Sequence, residues 1–326
     1  MAVDNPGHAS PPSATLPVGA PRTAGSGSGL PAGLPALGLT LPQFSTDPGA
    51  ALAAGRDAHR LGFGGVFVFD HMWPLGGPRT RAALECWTLL AAVAAEVGRP
   101  GRPGAMRVGT LVTRAGVRAP ALVARMAATV GELAGVPPIV GVGRGDLANR
   151  EENLAFGLPF GDVAERSAAL AATVVALRGP LAAGAEVWVG GVGPGARELA
   201  GRLADAWNGW ALTPEELAAG LADARRAAEA AGRDPAAVAG TWGGQVLVAP
   251  ERAEAEARLA RWGADRPPAE VARVVAGDPD TVLDRLGALG QAGAAWCVAA
   301  TVGGPAAEMR ALLAAAAGLP RRREIS

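Results

Sequence analysis

The chain has 326 residues, 49% of them apolar and 18% charged, with thirty basic residues balanced by thirty acidic ones. A formal charge of zero excludes the basic footprint of a nucleic-acid binder, and no apolar run reaches the ~18 residues that a membrane helix requires. The length suits one large core, such as a single barrel of ~250 residues with extensions.

Residues 1–35 are rich in Pro, Gly, Ser and Ala without periodicity, so they cannot offset their own ordering entropy and read as a disordered tail. They lack a basic segment followed by an apolar one, which makes the cytoplasm the expected compartment. Structure is expected from 36 to 319, with a short basic tail over 320–326. Leu37 to Leu41 predicts a first strand, closed by Pro42. Asp47-Pro48 then opens a helix with an N-cap and a proline at the first position. Val66-Phe67-Val68-Phe69 is an uninterrupted β-branched and aromatic run, the signature of a strand buried on both faces of a parallel sheet. The same alternation continues to the end of the chain. Helices are predicted over 80–96, 120–133, 162–177, 194–203, 214–231, 251–262, 280–289 and 305–316. Strands are predicted over 106–112, 138–143, 187–189, 206–210, 242–248 and 295–300. Thr213 followed by Glu216 predicts a capping box. Eight strands alternating with helices argue a parallel sheet that closes, an α/β fold of the (β/α)8 barrel type. The stretch 263–279 fits no βα unit and reads as an insertion near the C-terminal part. Cys86 and Cys297 fall on core elements, where a free Cys serves as a small hydrophobe.

Asp70 and His71 end the second strand. An acid and an imidazole there are poorly placed for packing and well placed on the rim where barrel active sites form; the plainer alternative is a His that only pairs with Asp70. Two glycine-rich loops follow later strands, Gly141 to Asp146 and Gly190 to Gly195. The second runs directly into a helix, so convergent amides and the helix dipole make it a candidate phosphate cradle. The pattern GVGRG brushes against a dinucleotide fingerprint but lacks the third glycine at the right offset. Trp73, Trp207 and Trp210 read either as apolar walls of a site or as core.

Taken together, DHMWP, VGTLVTRAGVRAPALVARMAATVGELAG, PIVGVGRGD with AFGLPFGDVAERSAAL, VWVGGVGPGARELAGRLADAWNGW and GDPDTVLDRLGALGQAG resemble the luciferase-like monooxygenase superfamily. Within it they are most similar to the branch dependent on the deazaflavin coenzyme F420. The similarity runs from about Leu37 to Leu319. It implies a bacterial-luciferase-like barrel holding F420, or alternatively FMN, at the carboxyl-end rim, with hydride transfer to or from an organic substrate. Asp70-His71 matches the family's acid-histidine pair, which implies Asp70 at the cofactor and His71 near the reactive ring as the catalytic residue that assists hydride transfer. Thr110, Leu111 and Val112 fall where the family often has a non-prolyl cis peptide against that ring. Gly143, Arg144 and Gly145, then Gly190, Gly191, Val192, Gly193 and Pro194, match the segments that hold the ribityl chain and phosphate. Asp146 stands where some relatives carry a catalytic glutamate. Lysines that grip a sugar phosphate in some relatives are absent, and Arg144 either reaches the cofactor phosphate or fills its cavity. The expected partners are a small-molecule substrate and a second copy of the chain in a homodimer, with no metal, nucleic acid or membrane. An FMN monooxygenase using dioxygen and a barrel without catalysis are the competing readings.

Overall fold

The computed structural model describes residues 33–74, 80–98, 106–182 and 184–322. Most of the expected N-terminal tail and the end of the basic C-terminal stretch lie outside the described residues. Nine parallel strands are found among those residues: β1 (Ala36–Thr40), β2 (Gly65–Val68), β3 (Arg107–Arg114), β4 (Ile139–Gly143), β5 (Glu186–Gly190), β6 (Ala206–Trp210), β7 (Ala239–Val248), β8 (Val275–Gly277) and β9 (Ala294–Thr301). The helices between them are α1 (Pro48–Arg60), α2 (Cys86–Val97), α3 (Pro120–Ala134), α4 (Asn149–Ala155), α5 (Val163–Arg178), α6 (Pro194–Leu203), α7 (Pro214–Ala230), α8 (Arg252–Gly263), α9 (Pro268–Val271), α10 (Pro279–Gln291) and α11 (Ala306–Ala316). β1 pairs with both β2 and β9, and β7 pairs with both β6 and β9, so eight strands close into a (β/α)8 barrel. The ninth, β8, hangs off the last three residues of β7. It belongs to the 263–279 insertion, which also contributes α9 and therefore sits at the carboxyl end of β7. No helix among the described residues is long and apolar enough to cross a membrane.

Each strand sends alternate side chains inward and outward. Val66 and Val68 join Val108, Val140 and Val187 in the layer between barrel and helices. Phe67, Leu111, Ile139, Trp188, Trp296 and Val298 fill the interior. Three of these rings meet, Phe67 to Trp188 at 5.5 Å, Phe67 to Trp296 at 6.0 Å and Trp188 to Trp296 at 5.9 Å. So large an aromatic charge fits only because small residues face it. Gly109 lies opposite Phe67 in register, and a Cβ there would stand 2.4 Å from the Ile139 carbonyl oxygen and 3.0 Å from the Phe67 ring.

Local signals act as the residue types dictate. Asp47 caps α1 by accepting from the Ala50 amide, and Thr213 and Glu216 form the complete capping box of α7. Both cysteines are buried and free, and burial pushes both thiols well up. Arg273 of the insertion donates to Glu216, and that hydrogen bond is the main cause holding the Glu216 carboxyl down to about 2. The insertion is thereby tied to the start of α7.

Trp207, expected as wall or core, is core: it is fully buried, and its ring occupies the notch left by Gly220 on α7. A helical glycine replaced by alanine ordinarily gains about 0.5–1 kcal/mol. At Gly220 the new Cβ would stand 2.2 Å from the Trp207 ring, so Gly220→Ala is expected to destabilise the barrel by about 1–3 kcal/mol. Gly287 on α10 faces nothing within 4 Å, and Gly287→Ala is expected to stabilise by about 0.5–1 kcal/mol. Urea unfolding of the two variants side by side checks this, and shifts of the same sign would refute the packing account.

Candidate active site

The rim at the carboxyl ends of β2 to β6 gathers most of the polar groups picked out above. Gln43, itself fully buried, begins the arrangement: its amide donates to the Phe69 carbonyl at 2.8 Å while its oxygen accepts from the Phe69 amide at 2.6 Å. This clamp finishes β2 and fixes the backbone that delivers Asp70 and His71.

The two neighbours then part. Asp70, 3% exposed, turns into the protein. It accepts from Thr113 Oγ1 at 2.8 Å, the Arg114 amide at 3.0 Å, and Arg118 Nη1 and Nη2 at 2.7 and 3.2 Å. Arg118 reaches on to Glu85, the N-cap of α2, at 2.6 Å. Burial alone would lower the Arg118 pKa, but the hydrogen bonds and charge of Asp70 outweigh it and raise it. Asp70 thus locks β2 to β3 and is not the acid of His71.

That acid is Glu152 on α4, a fully buried carboxylate. His71 Nδ1 lies 3.1 Å from Glu152 Oε2, and Arg114 Nη1 donates to the same oxygen at 2.9 Å. The other oxygen accepts from the Met72 amide and from the Trp73 amide at 3.2 Å. Arg114 Nη1 also donates to Asn153 Oδ1 at 2.6 Å, whose amide in turn donates to the Pro159 carbonyl. Burial pushes the Glu152 carboxyl up, but the hydrogen bonds from His71 and Met72 and the charge of His71 and Arg114 outweigh it and hold the group below the usual carboxylate range. An ionised carboxylate only accepts, so Nδ1 carries the imidazole proton and Nε2 remains to accept one or, in the imidazolium, to give one back. His71 keeps 16% of its side chain exposed, enough for contact with a ligand.

Asp146, expected as the acid of this region, is an exposed turn residue. Its carboxylate accepts from the Ala148 amide at 2.9 Å, and its own amide donates to Asn149. Its short side chain is spent on the loop that leads into α4, and Glu152, six residues on, reaches His71 instead.

Thr110, Leu111 and Val112 carry the expected feature: the Leu111-Val112 peptide is cis. Thr110 Oγ1 donates to the Gly141 carbonyl at 2.8 Å. Val112 lies against Gly143 and Gly190, where added Cβ atoms would meet its methyls at 2.6 and 2.8 Å, so these two glycines clear room for that side chain. In the next loop Gly191 has φ +134, a conformation cheap only for glycine, and Gly193 caps α6 with Pro194 at the first position and no side chain bonded to its first turn. That helix start is left open to an anion. Arg144 is exposed, bonds Ser167 Oγ at 3.4 Å, and brings Nη2 to 3.9 Å from where a Gly193 Cβ would stand, so it borders the loop of Gly191, Val192 and Gly193. Gly145, with φ +71, makes the turn that follows it.

A third region of the rim is apolar. Phe44 stacks with Phe69 at 6.2 Å, and Phe69 meets Trp210 edge-on at 5.7 Å. Trp210 is 38% exposed, a wall rather than core, while Trp73 packs against Phe156 at 5.9 Å. Among the described residues no cluster of His, Cys, Asp and Glu has the makings of a metal site.

The model of the luciferase-like monooxygenase family matches residues 33–320, and the chain belongs to that family. The phthiodiolone/phenolphthiodiolone dimycocerosates ketoreductase of Mycobacterium kansasii is 30% identical over 244 residues, covering 67% of this chain and 59% of that protein. The chain spans about half to three-fifths of the length of the curated relatives it matches first. Two solved structures share the fold. An F420-dependent secondary alcohol dehydrogenase, in complex with an F420-acetone adduct, has a TM-score of 0.72 at 17% identity over 87% of this chain and 98% of its own. The EDTA monooxygenase of Chelativorans sp. BNC1 has a TM-score of 0.71 at 15% identity over 88% and 95%.

Removing the Glu152 carboxylate leaves the Arg114 charge buried and uncompensated, so Glu152→Ala is expected to cost about 3–5 kcal/mol of stability. Because the folded carboxyl is held below its unfolded value of about 4.3, its contribution is complete above that pH and fades as the pH falls through the folded value. Urea unfolding of wild type and variant should therefore give a constant difference from neutrality down to about pH 5 and a shrinking one below about pH 4. A difference independent of pH would mean that Glu152 is not ionised in the fold.

Proposed function

We propose that the protein is an oxidoreductase that moves a hydride between coenzyme F420 and a hydrophobic organic substrate of the ketone–alcohol kind. The observation that carries this reading is the His71–Glu152 pair at the end of β2. Interconverting a carbonyl and an alcohol requires a hydride at carbon and a proton at oxygen. Bound, the coenzyme would supply or accept the hydride. The chain must then manage the proton, and a histidine whose Nδ1 is tied to a buried carboxylate presents Nε2 for that purpose. Glu152 stays ionised against Nδ1 throughout, while Nε2 takes the proton of an alcohol as its hydride leaves, or gives a proton to a carbonyl oxygen as the carbon receives the hydride.

The residues present fit the cofactor's two ends. The uncapped start of α6 and the Arg144 guanidinium suit a phosphate. Leu111 and Val112 offer an apolar edge, with the Val112 side chain seated against Gly143 and Gly190. Phe44, Phe69 and Trp210 supply an apolar wall for the substrate and exclude water from it. The ketoreductase named above and the F420-dependent alcohol dehydrogenase support the reaction class. FMN with dioxygen is the second reading, supported by the equally close likeness to the EDTA monooxygenase.

Absorbance titrations with F420 and with FMN decide between the two, F420 being the expected ligand. His71→Ala is expected to slow single-turnover hydride transfer by about 10²- to 10⁴-fold, with the cofactor Kd within several-fold of wild type. An unimpaired rate would sink the role of His71. At the α6 start, Gly195 is the clean position to test, because Gly191 cannot take a side chain without strain while a Cβ at Gly195 meets nothing within 4 Å. Gly195→Asp places a carboxylate where the dipole welcomes it and where the phosphate belongs. Its melting temperature should hold or rise while cofactor affinity drops at least tenfold; unchanged affinity would move the phosphate elsewhere.

A further inference from the structure

Beside the phosphate loop lies a second feature that the reaction does not use. A cavity of about 220 Å³ opens between the loop after β3 and the start of α5, lined among others by Arg114, Arg144, Arg166, Glu165 and Phe160. Three guanidiniums face it against one carboxylate. Glu165 is already engaged, since its carboxylate accepts from the Asp162 amide in the capping box of α5. Arg114, only 5% exposed, has Nε and Nη2 buried without a hydrogen-bond partner, all its bonds being made through Nη1. Arg166 likewise leaves Nε buried and unpartnered, while its Nη1 donates to the Gly161 carbonyl and its plane covers the Phe160 ring at 4.3 Å. Unpaired buried donors on two arginines around one cavity are costly unless an acceptor completes them. The third arginine, Arg144, touches both this cavity and the Gly193 loop.

We infer that this cavity is a carboxylate subsite that receives the glutamyl tail of the deazaflavin beyond its phosphate. The inference rests on the F420 reading above. Continuity argues for it: a ligand whose phosphate sits at the start of α6 has Arg144 beside it, and the next acidic group along the ligand meets the arginine cavity that Arg144 shares. FMN ends at its phosphate and has nothing to place there. A carboxylate matches the planar Nε–Nη2 edge that Arg114 leaves unused and the unpartnered Nε of Arg166.

The test compares three probes on the whole chain: FMN, the deazaflavin with its phospholactyl arm but no glutamate, and the same coenzyme with a glutamyl tail. The tailed form is expected to bind wild type at least tenfold tighter than the tailless form. Arg166→Gln should shrink that ratio below about threefold while moving the Kd for the tailless form and for FMN less than twofold, and Arg166→Lys, which keeps the charge but not the planar edge, should restore only part of it. Melting curves of both variants show whether they remain folded. Equal affinity of wild type for tailed and tailless forms, or an equal loss of both in Arg166→Gln, would overturn the subsite while leaving the F420 reading intact. Failure of both deazaflavin forms to bind would remove the F420 reading and the subsite with it.

Discussion

The arrangement of the rim depends on one buried charge. Glu152 is fully shielded from water, and a carboxylate in such a place costs several kcal/mol unless its oxygens are fully paired. Here each oxygen is met twice, one by His71 and Arg114 and the other by two successive amides after β2. Those donors come from the ends of β2 and β3, while the carboxylate comes from α4. Satisfying it therefore draws three separate segments to one point and dictates where α4 lies and how the His71 ring is turned. The same interaction that removes the desolvation penalty sets the tautomer, so stability and chemistry at this rim have a common origin.

Asp70 solves the matching problem one residue earlier along the chain. It too is a buried acid, met by Thr113, the Arg114 amide and both ends of the Arg118 fork. Arg114 serves both acids, its amide going to Asp70 and its guanidinium to Glu152. The two hubs are thus joined through a single residue at the end of β3, and a shift of that strand end would disturb both. The β3 register shift between Thr110 and Thr113 falls just before this residue.

Much of this fold is legible in the order of residues because its causes are local. All eight barrel strands lie where the alternation places them, although β7 starts at Ala239 rather than Trp242 and β5 runs one residue further at each end, and the caps at Asp47 and Thr213 form as their residue types imply. The site was legible only in part. His71 and the helix-start loop follow a strand directly, where a barrel puts its chemistry. Glu152 lies 81 residues beyond His71 on a helix of seven residues, too short for periodicity to reveal, and it stands next to Glu151, which sequence cannot tell apart from it. Asp146 looked better placed because it follows β4 closely, but closeness in sequence spends its carboxylate on the nearest amide. Reading β3 as ending at Val112 hid Arg114, since only the register shift carries the strand two residues further.

The absence of lysine gives these hubs their form. An ammonium is a point charge on a flexible stem, whereas a guanidinium offers a rigid fork whose nitrogens bond different partners at once. Arg118 uses the fork to hold Asp70 with both ends while also reaching Glu85, and Arg114 uses one nitrogen for both Glu152 and Asn153. A fork bound at one end only keeps donors in reserve on the other, as Arg114 does with Nε and Nη2. A lysine in its place would have met its acceptors from a single point, without a planar edge held apart from them. The arginine that neutralises Glu152 therefore also leaves unused donors beside the rim, and in the proposed subsite these meet an acidic group of the ligand.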